Sequence, residues 1–169
     1  LGNAIPKISY GFNIDVNYKN FDLTMFFNGV GGNKIFNARK YEYYFNYANN
    51  MVTDVLNSWT PENTHTYVPV AKVTNADGGN SLPSEFYIES GSYFRLKNVQ
   101  LGYTLPEQLS RRFYMSKLRF YVSVQNVFTL TRYSGFDPEV SSNTLFSRGV
   151  DMNSYPNART YTVGVNVSF

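Results

Sequence analysis

Tyr10-Gly11-Phe12-Asn13-Ile14-Asp15-Val16-Asn17-Tyr18 decides the fold. The even positions are aromatic or aliphatic, and Gly11, Asn13, Asp15 and Asn17 alternate with them, an unbroken period of two. Such a period marks a β-strand with one apolar face. Lys19-Asn20 is a tight connection, and the next run puts Phe21, Leu23, Met25 and Phe27 on one face with Asp22, Thr24 and Asn28 on the other. The two runs predict a hairpin.

Working outward, the pattern is cleanest at the far end of the chain. There Tyr161, Val163, Val165, Val167 and Phe169 alternate with Thr160, Thr162, Gly164, Asn166 and Ser168. Leu118, Phe120, Val122, Val124 and Phe128 form another apolar face against Arg119, Ser123 and Gln125, with Asn126 intruding on the apolar side. The run from Tyr93 to Leu105 changes phase. Phe94 and Leu96 are even, whereas Val99, Leu101 and Tyr103 are odd, so a β-bulge or an early exit from the membrane is required. Arg95 and Lys97 would otherwise fall on the apolar face. A lipid-facing cation costs about 2–4 kcal/mol at mid-bilayer and little at the boundary, which places both at the water end of that strand.

The aromatics separate a soluble sandwich from a membrane barrel. Tyr10 and Tyr18, Phe120 and Phe128, and Tyr161 and Phe169 each bracket an apolar face with rings eight positions apart. At ~3.3 Å per residue this is roughly 26 Å of strand, or about 20 Å of height at a tilt near 40°, close to the apolar band between aromatic girdles. Asn13, Asp15 and Asn17 in one row suit a wet lumen better than a dry core. The connections alternate in length, as in membrane barrels: Lys19-Asn20 and Pro106 to Lys117 are short, Gly31 to Gly91 and Thr129 to Ala158 long. Within the first long one, Asn37 to Trp59 has few breakers and accommodates a short helix, while Pro61, Pro69, Asp77-Gly78-Gly79 and Pro83 read as irregular loop. The expected fold is all-β, with five antiparallel strands of a transmembrane β-barrel over residues 1–169. Five strands cannot close a barrel in lipid without unpaired backbone groups, so the remaining strands are expected elsewhere in a longer parent chain. A start at Leu1 without a signal peptide agrees with that expectation.

Composition narrows the function. Hydrophobic residues make up 43% of the chain at a mean hydropathy of −0.34, and no run approaches the roughly 20 apolar residues of a spanning helix. Fifteen Tyr and 14 Phe against one Trp suit a membrane boundary or a ligand surface. Zero cysteines exclude disulfides, thiolate metal sites and thiol nucleophiles. The net charge of +3 is scattered among acidic residues without a basic stripe, which gives nucleic-acid binding little support.

Three longer stretches carry a family resemblance: Tyr18-Lys19-Asn20-Phe21-Asp22-Leu23, Ser92-Tyr93-Phe94-Arg95-Leu96-Lys97-Asn98-Val99 and Leu101-Gly102-Tyr103-Thr104-Leu105-Pro106. With Gln125-Asn126-Val127-Phe128, Tyr133-Ser134-Gly135-Phe136-Asp137-Pro138-Glu139, Tyr155-Pro156 and the run Thr160 to Phe169, the chain resembles the C-terminal end of SusC/RagA-type TonB-dependent transporters of Bacteroidetes. The resemblance implies a barrel of about 22 strands around a plugged lumen, in the bacterial outer membrane and in contact with its lipid. It implies import of glycan or peptide fragments under a SusD-like surface lipoprotein. The plug and the segment that engages the TonB complex would lie N-terminal to Leu1, and no cofactor is implied. Tyr161, Val163, Val165, Val167 and Phe169 match the terminal signal read by the barrel-assembly machinery, Phe169 doubling as a girdle residue.

Catalysis finds little support. His65, the only histidine, lies in a proline-flanked loop without a neighbouring carboxylate and reads as a surface residue. Gly29 to Lys34 lacks P-loop spacing and reads as a strand exit. Asp137, Glu139 and Asp151 fit no EF-hand and read as solvated loop carboxylates, so no metal is expected. Asn166-Val167-Ser168 matches a glycosylation acceptor but falls within a strand. The site hypothesis rests on loop aromatics: Trp59, Tyr67, Tyr133, Phe136 and Tyr155 are placed to stack on sugars or pack on a lid protein, with Asp137 and Arg148 as hydrogen-bonding partners. The plainer alternative is that they pack loop against loop. An enzyme needs a carboxylate pair or nucleophile–base set on a rigid element, and none is present. A soluble carbohydrate-binding β-domain would use the same rings, and an outer-membrane hydrolase or adhesin would use the long loops.

Overall fold

The computed structural model describes residues 2–45, 50–72, 79–80, 82–140 and 147–169. In chain order the elements are β1 (Ile8–Tyr18), β2 (Phe21–Gly31), β3 (Lys34–Asn37), helix α1 (Ala38–Tyr44), a 3-10 turn (Thr53–Asn57), a second (Glu85–Tyr87), β4 (Ile88–Ser90), β5 (Tyr93–Thr104), α2 (Glu107–Ser110), a third 3-10 turn (Arg111–Phe113), β6 (Lys117–Thr131), β7 (Val150–Asp151) and β8 (Thr160–Ser168). Two compact units result. One comprises Lys7–Gly31, Ser92–Thr131 and Pro156–Phe169, the other Leu1–Pro6, Gly32–Gly91 and Arg132–Tyr155.

The first unit is the expected sheet, five antiparallel strands in the order β1-β2-β5-β6-β8. Lys19 turns the hairpin with a left-handed φ of 55°, and Tyr18 pairs with Phe21 across it. Asn20 then fastens the turn to β5, its carbonyl accepting from the Thr104 backbone N–H at 2.8 Å and its side-chain amide donating to the Thr104 carbonyl at 2.8 Å. The connection from β5 to β6, expected to be short, contains α2 and a 3-10 turn.

The phase change in β5 is a bulge at Lys97. Leu96 opposes Phe27 and Phe128, Asn98 opposes Phe26 and Gln125, and Lys97 has no opposite number. Arg95 therefore leaves the apolar face. It lies opposite Asn28 and Thr129, buried, with its Nε donating to Thr129 Oγ1 at 2.8 Å. The boundary placement inferred for Arg95 is thus unnecessary, because one extra residue reverses the face of all that precedes it. Asn126 marks the bulge on β6 with a φ of 53°. Its amide donates to the Ala158 carbonyl at 2.8 Å, and the Arg159 guanidinium donates back to the carbonyls of Asn126 and Val127.

Register aligns the apolar residues of all five strands. Ile14, Met25, Val99, Val124 and Tyr161 form one row; Val16, Leu23, Leu101, Val122 and Val163 form the next. Rings close this aliphatic band at both ends: Tyr10, Phe12, Phe27, Phe94 and Phe128 on one side, with Phe12 and Phe27 stacked at 4.9 Å, and Tyr18, Phe21, Tyr103 and Phe120 on the other. Twelve of the apolar residues on β1, β6 and β8, from Tyr10 to Val167, are at least 40% exposed. A monomer in water does not leave such an area bare. The opposite face is polar, with Thr24 donating to Asp15 at 2.8 Å and Ser123 to Asn98 at 3.0 Å. Arg119 grips Asp22 with two nitrogens across Gly102, where any Cβ would collide with both charged groups.

Gly29 offers a test of this packing. The Tyr10 hydroxyl crosses it to donate to the Tyr93 carbonyl at 3.2 Å, and a Cβ would collide with both groups. Gly29→Ala is expected to cost about 1–3 kcal/mol by overpacking, read as a lower urea midpoint of the lipid-folded protein. An unchanged midpoint would show that Tyr10 does not cross Gly29.

The second unit holds the apolar core. Tyr44, Phe45, Val68 and Tyr87 are buried together, flanked by Phe36, Val52, Val55 and Phe86. A small sheet in the order β4-β3-β7 accompanies it, β3 running antiparallel to β4 and parallel to β7. The helix expected within Asn37 to Trp59 is α1, capped by Asn37, whose side-chain oxygen accepts from the Lys40 N–H at 3.4 Å. The Asp77-Gly78 turn signal lies outside the described residues. No helix among the described residues is long and apolar enough to cross a membrane.

Candidate functional site

All seven loop candidates lie in the second unit, and their surroundings divide them. Tyr155 is 91% exposed, and Trp59, Tyr67, Phe136 and Arg148 are also exposed. Trp59 is positioned by its backbone N–H, which donates to the Val68 carbonyl at 3.0 Å. Tyr67 stacks on Phe86 at 6.2 Å and donates to Asp54 Oδ2 at 3.4 Å. Phe136 carries the Arg39 guanidinium 4.2 Å above its ring. No ring contact joins Trp59, Tyr67, Phe136 and Tyr155 to one another among the described residues.

Tyr133 and Asp137 have internal roles instead. Tyr133 is only 6% exposed, and its hydroxyl donates to Asp151 Oδ2 at 2.5 Å. Burial, then the hydrogen bond to Asp151, push its pKa well above the ordinary tyrosine value, so it stays a donor. Asp137 is buried, with Oδ1 accepting from the Glu139 N–H at 2.9 Å. Asp151 is buried too and also accepts from the Ser154 N–H at 2.9 Å. The expectation of solvated carboxylates is corrected for these two, since a buried carboxylate must find donors and both do. No group of three metal-ligating side chains occurs among the described residues, and His65 is exposed.

The structure adds residues that sequence reading passed over. Glu89 on β4 receives Lys40 Nζ at 2.8 Å, Asn37 Nδ2 at 3.1 Å, and both the N–H and the hydroxyl of Ser134 at 2.7 Å. Burial alone would push its pKa up, but the Lys40 and Ser134 donors outweigh that and hold it below the usual carboxylate range. One carboxylate thus joins the two long loops. Beside α1 opens a cleft of ≈ 280 Å3 whose lining includes Arg39, Lys40, Tyr43, Thr53, Asp54 and Ser134. Asp54 takes the Tyr44 hydroxyl at 2.7 Å. Desolvation, reinforced by Asp54, raises the Tyr44 pKa far above normal. Burial, with Tyr41 nearby, pushes that of Tyr87 up to about 12. The only advance signal was Asn37 before Ala38-Arg39-Lys40, a capping residue ahead of a helical turn.

On β8, Tyr161, Val163, Val165 and Val167 continue the apolar face of β6, opposite Val124, Val122, Phe120 and Leu118. Phe169 follows in phase and is 91% exposed.

No family model matches the chain. Over its whole length it is 40% identical to the TonB-dependent receptor P3 of Formosa agariphila, of which it spans 17%. Over 94% of its length it is 29% identical to the TonB-dependent receptor SusC of Bacteroides thetaiotaomicron, of which it spans 15%. It also superposes on the RagAB peptide importer in the closed-closed state with a TM-score of 0.80 and 31% identity, over 98% of this chain and 18% of that one.

The chain belongs to the SusC/RagA-type TonB-dependent receptors. Membership agrees with the resemblance carried by the Tyr18–Leu23 and Ser92–Pro106 stretches, and with a sheet that leaves its apolar face exposed. The open-open state of RagAB matches over the same 98% with a TM-score of 0.77. These SusC/RagA-type relatives are receptors and importers by name, and the chain spans about a sixth of their length.

Proposed function

We propose that residues 1–169 form five consecutive wall strands and two long outer connections of an outer-membrane transporter that imports oligomeric nutrients, glycan or peptide fragments. In this reading the plug, the other strands and the TonB-coupling segment belong to the rest of the polypeptide, and a SusD-like lipoprotein works above the loops. The chain carries no catalytic role. The reading rests on one observation above all: the sheet exposes an aliphatic band bounded by rings on one side and hydrogen-bonded polar residues on the other. A soluble carbohydrate-binding domain would have to cover that band.

Folding and binding can be tested separately. The full receptor should show heat-modifiable gel mobility only when folded in detergent or lipid; a soluble, cooperatively folding product without detergent overturns the assignment. Trp59, Tyr67, Phe136 and Tyr155 are proposed as exposed contacts for substrate or lid, with Arg148 as a hydrogen-bonding partner. At about 0.5–1.5 kcal/mol per ring, replacing all four rings with serine should weaken lid or substrate binding at least about tenfold while heat modifiability persists. Unchanged affinity in an intact barrel refutes that role.

A further inference from the structure

We propose that the cleft beside α1 binds an oxyanion, a carboxylate carried by the imported oligomer, with Arg39 as its anchor; this rests on the nutrient-import reading. Charges around the cleft single Arg39 out. Lys40 is neutralised by Glu89 at 2.8 Å, and both side chains are largely buried. Asp54 accepts the hydroxyls of Tyr44 and Tyr67. Arg39 is half-buried, yet among the described residues no carboxylate pairs with it. Its guanidinium lies 4.2 Å from the Phe136 ring centroid and 5.8 Å from that of Tyr43.

Rings satisfy the flat faces of a guanidinium by cation–π attraction and leave its edge N–H groups in the plane. Those edge donors match a carboxylate in a two-pronged hydrogen bond. Thr53, Tyr43 and Ser134 add hydroxyls to the same lining. At ≈ 280 Å3 the cleft is slightly below the roughly 300–1,000 Å3 of pockets for drug-sized ligands. It fits one acidic sugar ring or one acidic side chain of a longer oligomer. Asp54 faces the same space and favours a ligand whose remainder donates hydrogen bonds. Phe136 therefore works through Arg39, as the plate that fixes its orientation, in addition to being exposed.

The test is direct binding to the purified full receptor in detergent, with trigalacturonate against maltotriose and triglutamate against triglutamine. At least one acidic probe should bind about tenfold or more tighter than its neutral counterpart, and the preference should shrink as salt rises. Arg39→Gln should weaken that probe about 10- to 100-fold without changing neutral-probe affinity. Arg39→Lys should fall between, keeping charge but losing the fork. Thr53→Val, which leaves the charge in place, should show a smaller loss and guards against a misfolded Arg39 variant. Preference for trigalacturonate identifies a sugar acid, and preference for triglutamate an acidic peptide. Equal binding of acidic and neutral probes, or an acid preference that survives Arg39→Gln, overturns the inference and leaves nutrient import standing. If none of the four probes binds, the inference fails and nutrient import itself loses support.

Discussion

Val99→Arg is expected to destabilise the lipid-folded receptor by about 2–4 kcal/mol, the cost of a cation on the lipid face at mid-membrane. Val99 is on β5, the middle strand of the sheet, between Met25 and Val124 in the central aliphatic row. Its neighbour Gln100 lies between Thr24 and Ser123 on the polar face. Gln100→Arg should therefore cost little, because its guanidinium enters a wet, hydrogen-bonding surface. The pair differs by one position along the chain and by the whole sheet in environment. Denaturant unfolding in phospholipid vesicles measures both, and equal costs would show that the apolar face does not meet lipid.

Glu89→Ala should have the second large effect, in the loops. Removing the carboxylate takes the counter-charge from the Lys40 ammonium, whose side chain is 14% exposed and keeps only the Phe86 carbonyl at 3.4 Å, and leaves the Ser134 N–H without its acceptor. Breaking a buried pair from one side costs about 3–5 kcal/mol, equivalent to a loss of at least about hundredfold in hydrogen-exchange protection at the Ser134 amide if that amide exchanges by opening of this unit. Glu89→Gln, which keeps the acceptor oxygen and loses the charge, should fall between. Acid should imitate the substitution. Because folding lowers the Glu89 pKa, its contribution is complete above the ordinary glutamate value of 4.5 and is lost as pH falls through the lower folded value. Protection at Ser134 should hold at neutral pH and decline only below about 4.5; a loss centred near pH 6 would assign the effect to another group.

What could be read in advance was what repeats locally. A strand in a sheet with two different faces writes its period into every second residue, so the hairpin at Lys19-Asn20 and even the bulge at Lys97 were visible as phase. β3, β4 and β7 were not, since elements of two to four residues are too short to show a period. The partnership of β3 with β7 is set by contacts far along the chain, such as the Phe36 N–H donating to the Gly149 carbonyl at 2.7 Å. The site was legible by residue type and not by environment. Tyr133 and Tyr155 look equivalent as loop tyrosines, but Asp151 draws the first inward, while the second stays 91% exposed. Arg39 escaped notice because its place over the Phe136 ring, beside the cleft, depends on a residue nearly a hundred positions away.

The two long connections are not independent appendages. Phe36 and Asn37 pair with Val150 and Asp151, Glu89 holds Ser134, Arg39 lies on Phe136, and Asn153 donates to Glu42 at 2.8 Å. An insertion or exchange in one loop must preserve half of a structure whose other half is encoded 45 or more residues away. Grafting the Gly32–Gly91 segment alone between receptors should yield a misfit, whereas moving it together with Arg132–Tyr155 transfers a matched set. The two loops thus form one structural unit, and a library that diversifies one loop against a fixed partner is expected to sample mostly broken surfaces.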